Sequence, residues 1–389
     1  MTKPAAPPGP AAPALPDALP ERGLGEAAAL ALFTDLVASR SAPLDAPDAL
    51  AHMDPPVPGI AARLAGLNAA RNQNLLHPDL SPFATEAERR AIAWLAPAFG
   101  MGAGHLCAGS TIANLAGLWC AREHGARRVV ASADAHLSVA KAAHLLAMDL
   151  ETLPVDGRGR MVVPAGGVAG DAALVATAGT TGRGGIDPLG RAGCLWLHVD
   201  AAWGGPLRLT RHAARLDGVE LADSVAVSAH KWLYQPKDSA LALFRSPEAQ
   251  GRIAFGGSYL AVPNVGVQGS RGAAAVPLLA TLLAWGRAGL AARIEKNVAD
   301  ADALAEWLDA DARTVLRQRP DTAVLNWRPA DPDADVEAVL ARLGRTSSRT
   351  VIDGEVWMRQ VAANPGADVG AVRAAIKAAL RRSRPVLGA

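Results

Sequence analysis

The 389-residue sequence predicts an α/β fold, with a mostly parallel central sheet flanked by helices and a small C-terminal α+β domain. Three observations carry that expectation. From about Gly104 onward, short apolar runs alternate with stretches of helical periodicity, the pattern of successive strand–helix units. The strand-like runs are apolar throughout rather than alternating, which implies strands covered on both faces. Thr177, Asp200 and Ser228 each end such a run, and ligands on parallel sheets bind beyond the carboxyl ends of the strands.

Residues 1–20 are rich in Pro and Ala and read as a flexible leader. With a helix over about Gly25–Ser39 they make an N-terminal arm, residues 1–45. The prolines of His52-Met53-Asp54-Pro55-Pro56 forbid regular helix and predict a loop. Ser81-Pro82-Phe83-Ala84-Thr85-Glu86 opens a helix that runs to about Ala96, with Pro97 near its end. Strands are predicted at Arg128–Ser132, Ala172–Thr177, Leu195–Asp200, Ser224–Ser228 and Ala240–Phe244, and helices at Thr111–His124 and Ser138–Met148. These elements define a large domain, residues 46–289. A Leu- and Ala-rich helix spans about Ala273–Trp307 with interruptions near Gly286 and Gly289. Beyond it, Ala323–Trp327 and Glu355–Val361 read as strands and Val369–Arg381 as a helix, giving a small domain over 290–389.

Half of the residues are apolar and 20% are charged, so a large core is easily built and wholesale disorder is excluded. Basic residues number 39 and acidic residues 37, without a concentrated Lys/Arg run, and no nucleic-acid partner is expected. No uninterrupted apolar segment reads as a signal peptide or membrane span. Cys107, Cys120 and Cys194 lack metal-type spacing and read as reduced core residues, so a cytoplasmic enzyme without a metal is expected.

Asp200, in His198-Val199-Asp200-Ala201-Ala202, and Lys231, in Ser228-Ala229-His230-Lys231-Trp232, end successive strands. A buried carboxylate needs a cationic partner, and a buried lysine has the depressed pKa that an amine nucleophile requires. Together they fit pyridoxal phosphate, with the lysine holding it as a Schiff base and the aspartate keeping the ring nitrogen protonated. Ala202 is small enough for a ring to lie against the backbone. His230 and Trp232 would shape the substrate's carboxylate side. Ser110 and Thr111, at a helix start, suit a phosphate, although an ordinary helix cap reads the same way. Ala176-Thr177-Ala178-Gly179-Thr180-Thr181-Gly182 offers further donors or is a plain strand-end turn. His136 would stack on the ring and act as acid or base, or is a polar residue at a helix start.

These motifs, in this order, resemble the group II pyridoxal-phosphate decarboxylases, the family of the aromatic-amino-acid, glutamate and 2,4-diaminobutyrate decarboxylases. The likeness covers about residues 50–300, and more loosely the small domain through Trp357–Pro365. It implies a fold-type I, transferase-like architecture and an L-amino-acid decarboxylase acting as a homodimer. It assigns phosphate contacts to Ser110, Thr111 and Ser228, ring stacking to His136, the ring-nitrogen bridge to Asp200 and the Schiff base to Lys231. Thr181 and Ala202 would line the cofactor beside His230. Arg271, in Gly269-Ser270-Arg271-Gly272, is a cofactor-site candidate, and Tyr259 occupies the position of a proton-returning loop tyrosine. His52, Asp54 and Pro55 would belong to the substrate pocket, with Asn74 and Leu76 reaching in from the partner subunit.

Three features depart from the family pattern. Gly109-Ser110 and Ile112 stand where the phosphate loop usually has Gly-Gly and a glutamate. Only seven residues separate Asp187 from Leu195, too few for the usual crossover helix. The segment from Tyr259 to Arg271 is short, which bears on loop closure. The rival expectations are oxidative deamination to an aldehyde, carbon–carbon lysis, and a catalytically silent binding or assembly subunit.

Overall fold

The computed structural model describes residues 15–168 and 170–381. The first fourteen residues of the expected leader lie outside that range. The chain forms two compact units, Met1–Pro43 and Leu44–Ala389. The first contains helix α1 (Glu26–Arg40). Everything that follows concerns the second.

Its centre is a seven-stranded sheet of β1 (Ala103–Cys107), β2 (Arg128–Ser132), β3 (Asp149–Leu153), β4 (Ala172–Thr177), β5 (Trp196–Asp200), β6 (Ser224–Ser228) and β7 (Ala240–Phe244), in the order β1-β7-β6-β5-β4-β2-β3. Neighbours from β3 to β6 pair in parallel, and β7 runs antiparallel to both β6 and β1. Strands β4 to β7 are buried along their whole length, which is why they read as unbroken apolar runs. Two strands had no such signal. The edge strand β3 is exposed at four of its five positions, Asp149 and Glu151 among them. In β1, Gly104 interrupts the pattern; a Cβ there would stand 2.8 Å from the Ala242 carbonyl oxygen of β7.

Helices cover both faces. Helices α2 (Gly59–Arg71) and α3 (Pro82–Leu95) pack with the long α7 (Ala275–Ala310) over one face, while α4 (Ser110–Glu123) and α5 (Leu137–Leu145) cover the other. The short α6 (Pro247–Gly251) follows β7 and leads into a hairpin of β8 (Ala254–Phe255) and β9 (Asn264–Val265). Helix α7 breaks at Gly286, whose φ of 61° and ψ of 177° are non-helical, as the sequence predicted; Gly289 stays helical. By length and composition α7 could cross a membrane, yet Leu278, Leu290, Ile294, Val298 and Leu304 are buried in the main core.

The C-terminal residues form an antiparallel sheet of β10 (Thr314–Leu316), β11 (Val324–Pro329), β12 (Ser348–Ile352) and β13 (Glu355–Val361), in the order β10-β11-β13-β12, with α8 (Val336–Leu343) and α9 (Val369–Arg381). Trp327, Met358 and Ile376 of this region share one hydrophobic core with the large sheet. The boundary expected at 290 falls inside α7. The three cysteines are free and buried.

No helix links β4 to β5. The crossover doubles back through an Ala178–Ile186 bridge. Asp187 then accepts the Met161 and Thr177 N–H groups at 2.7 and 2.8 Å. Its carboxylate fastens the crossover to the end of β4.

Candidate active site

A small cavity opens at the carboxyl ends of β4, β5 and β6, lined by Ser110, His136, Thr177, Gly179, Thr181, Asp200, Ala202, Trp203 and Lys231. Seven of the nine stood out in the sequence for their chemistry or their place at a strand end; Gly179 was noted only as part of its loop, and Trp203 went unmarked. Each arrives by its own local logic. Asp200 is the last residue of β5, and Lys231 lies three residues past the end of β6. Ser110 begins α4, preceded by Gly109 at φ +103°, a conformation that suits glycine. His136 is the N-cap of α5; its Nδ1 accepts the Ser138 N–H at 3.2 Å. Thr181 sits in a turn in which the Gly179 and Thr180 N–H groups donate to the Gly185 carbonyl.

Asp200 is 3% exposed and both its oxygens are engaged. Oδ1 accepts the Ala202 N–H at 3.1 Å, and Oδ2 accepts from the Asn114 side-chain amide at 2.9 Å. Burial holds the Lys231 ammonium below the ordinary lysine range, against the opposing charges of Asp200 and Asp54. Burial also lowers the His136 pKa, partly offset by Asp200. The depressed lysine favours the free amine, as a nucleophile requires.

Thr177 Oγ1 and Ser228 Oγ are buried without a hydrogen-bond partner. A buried hydroxyl left unpaired is costly, so both suit a polar group bound nearby. An aromatic aldehyde with a basic ring nitrogen and a phosphate matches what surrounds them: an amine at Lys231, a carboxylate at Asp200, and hydroxyls and helix N–H groups at Ser110. The site fits pyridoxal phosphate.

The remaining predicted residues lie outside this lining. Thr111 is exposed on the first turn of α4. His230 is half-buried, with Nδ1 3.1 Å from the Ser239 carbonyl oxygen, and burial lowers its pKa. Arg271 is committed to Glu88, with one N–H···O contact at 2.9 Å. Asn74 donates to Ser270 Oγ at 3.1 Å, and its Oδ1 accepts the Leu76 N–H at 3.0 Å, which ties that segment to the Arg271 strap. Tyr259 is 71% exposed on the loop between β8 and β9. His52 is exposed and Pro55 buried, while the half-buried Asp54 pairs with Lys237.

The sequence reading passed over several residues. Trp203 lines the cavity and stacks on Trp232, ring centroids 4.0 Å apart. Arg359 of β13 is half-buried, with Nε unpartnered and its pKa lowered by burial against Asp54. Its charge also reaches Lys231. The available signal was an arginine within the strand Trp357-Met358-Arg359-Gln360-Val361. Asn114 and His198, both buried, connect to Asp200 through hydrogen bonds, Asn114 directly and His198 through Asn114.

The comparisons agree with this geometry. Residues 8–326 match the sequence model described as the pyridoxal-dependent decarboxylase conserved domain. An L-2,4-diaminobutyrate decarboxylase of Rhizobium meliloti is 35% identical, over 90% of this chain and 80% of that protein. An aspartate 1-decarboxylase of Aliivibrio fischeri is 28% identical, over 79% of this chain and 68% of that protein. Among solved structures, the glutamate decarboxylase domain of a Vibrio parahaemolyticus diaminobutyrate-pyruvate transaminase and L-2,4-diaminobutyrate decarboxylase superposes with a TM-score of 0.81. It is 22% identical, with 94% of this chain and 88% of that chain covered. The chain belongs to the pyridoxal-dependent decarboxylase family. It is a pyridoxal-phosphate-dependent carboxy-lyase with the fold-type I architecture.

Proposed function

We propose that the protein decarboxylates an L-amino acid with a short cationic side chain, with Lys231 as the amine that holds the cofactor. When bound, pyridoxal phosphate supplies an electron sink for the carbanion left by departing CO2. Asp200 would hold the proton on the ring nitrogen, and His136 would cover the ring. Arg359, with an unpartnered Nε, would take the substrate's carboxylate.

The observation that carries the substrate class is Asp54. Its charge bears on Lys231, His230 and Arg359, and its present partner is the ammonium of Lys237. A substrate ammonium could replace that of Lys237 without leaving the carboxylate unpaired. The diaminobutyrate decarboxylase relative supports this reading. A carboxylate side chain would meet Asp54 as a like charge, unless Lys237 turned to receive it. The test is CO2 release from a panel of amino acids by wild type and Asp54→Asn. Diaminobutyrate should lead the panel, and D54N should lose about ten-fold or more in kcat/KM for it, as expected for a lost charge-assisted hydrogen bond. Preference for aspartate, or an indifferent D54N, overturns the substrate class.

A second reading is favoured by one observation, the exposure of Tyr259 outside the cavity. Without a proton donor over the reacting carbon, O2 would take two electrons from the carbanion and leave as hydrogen peroxide, and hydrolysis by water would give aldehyde and ammonia beside the CO2. We also propose a homodimer with shared sites, supported by the place of Asn74 and Leu76 outside their own chain's Lys231 cavity. A monomer in sedimentation equilibrium at assay concentration rules it out.

A further inference from the structure

Strand β5 alternates its side chains, so Trp196, His198 and Asp200 share one face, the face that α4 covers. All three are buried, as are Asn114 of α4 and Ser224 of β6. Their hydrogen bonds have a single consistent direction. The Asp200 carboxylate accepts, so the Asn114 group facing Oδ2 at 2.9 Å is its NH2. Asn114 Oδ1 is then an acceptor, and His198 Nε2, at 3.0 Å, carries the hydrogen. His198 Nδ1 is left to accept from Ser224 Oγ at 2.8 Å, and Ser224 Oγ accepts from Trp196 Nε1 at 2.9 Å. Every donor in the series points toward Asp200.

A branch leaves from the same amide. Asn114 Nδ2 also donates to Ser138 Oγ at 2.8 Å, which lies 2.8 Å from His136 Nδ1. Nδ1 already accepts the Ser138 N–H, so the hydrogen of a neutral His136 sits on Nε2.

We propose that Asn114, His198 and Ser224 are positioning residues for the cofactor, forming a one-way hydrogen-bond chain that aims the Asp200 carboxylate at the ring nitrogen. Through Ser138 the same amide fixes the ring of His136. Such a chain strengthens each bond in it and leaves no buried polar atom of Asn114 or His198 unpaired. Burial pushes the His198 pKa down to about 4, which keeps the imidazole in its neutral, relaying form near neutral pH.

Gly117 gives independent support. It sits inside α4, where glycine is a poor helix former. A Cβ there would lie 2.4 Å from His198 Nδ1 and 2.9 Å from Ser224 Oγ. The helix gives up a side chain at the place where the imidazole needs room.

The inference rests on Asp200 facing the cofactor nitrogen, and the experiment separates the two claims. Full-length protein is loaded with pyridoxal phosphate labelled with 15N in the ring. The 15N chemical shift reports ring protonation, and a titration gives the cofactor Kd. Wild type must first bind and show a protonated nitrogen; if it does not, the reading of Asp200 fails before the relay is tested. His198→Leu should move the resonance toward the unprotonated position and raise Kd by about ten-fold, the lower end of the ~10- to 100-fold cost of losing an outer hydrogen-bond partner at metal sites. His198→Gln, which can return a donor near Nε2, should restore most of both. Ser224→Ala should shift the resonance in the same direction by less. Wild-type resonance and Kd in either H198L or S224A overturn the proposal. If H198L does not fold, S224A decides alone.

Discussion

The residues expected around the cofactor fall into two groups, and they differ in how fully one chain supplies them. The inner wall is made of strand ends, helix starts and the turn that follows β6: Thr177 and Asp200, Ser110 and His136, and Lys231. Pairing within the sheet fixes the strand-end backbones, and hydrogen bonds hold Asp200 and His136 within the same chain. The second group, a rim of loops, lies outside that lining. Tyr259 is largely exposed, Arg271 is spent on Glu88, and Asn74 ties its own strap to Ser270. Groups on regular elements keep their geometry whether or not a ligand is present, whereas loop groups take theirs from whatever covers them. On the proposed function, holding the cofactor and closing over the substrate are separable demands, met by different parts of the molecule.

The largest effect that would break this comparison is at Lys231. In Lys231→Ala the visible band of the cofactor–protein complex should disappear and borohydride should trap no pyridoxyl-lysine. A persistent band would place the reactive amine elsewhere and remove Lys231 from the inner wall. The rim should respond differently. Tyr259→Phe should retain cofactor with wild-type affinity while its products shift from amine toward aldehyde. Unaltered amine yield would remove Tyr259 from the chemistry, and lost cofactor affinity would show that rim and wall are not separable.

The same division decided what could be read from the sequence. Strands β4 to β7 were legible because burial on both faces writes an unbroken apolar run, and the residues that end them announced themselves by position. Strand β3 was hidden by its exposed Asp149 and Glu151, and β1 by Gly104 and His105. Asn114 and His198 passed unnoticed because their meaning lies in bonds across 84 and 86 positions of chain, and no local pattern encodes those. Arg359 comes within electrostatic reach of Asp54 and Lys231 only once the four-stranded sheet has folded. The shortened crossover was visible as a length, but the role of Asp187 in replacing the helix was not.

That role gives the smallest predicted effect and the sharpest test of how the inner wall is held. Asp187 is buried, and burial pushes its pKa up to about 6 in spite of the two backbone N–H groups that favour its ionised form. In the unfolded chain the same carboxyl titrates near ~3.9. Between these values the folded protein binds the extra proton, so this group makes stability fall as pH rises from about 4 to about 6. Asp187→Asn cannot titrate, and the urea midpoint of that variant should lose this part of its pH dependence. Even when protonated, Asp187 keeps a lone pair on each oxygen, whereas Asn puts an NH2 in place of one of them, leaving the Met161 or Thr177 N–H unpaired at a cost of roughly 1–3 kcal/mol. D187N should therefore be clearly less stable than wild type at pH 4.5, with a narrower gap at pH 7, where wild type carries the buried charge. A gap that is constant across this range would mean that Asp187 ionises normally, and a gap near zero throughout would mean that the end of β4 is held by packing rather than by the Asp187 side chain.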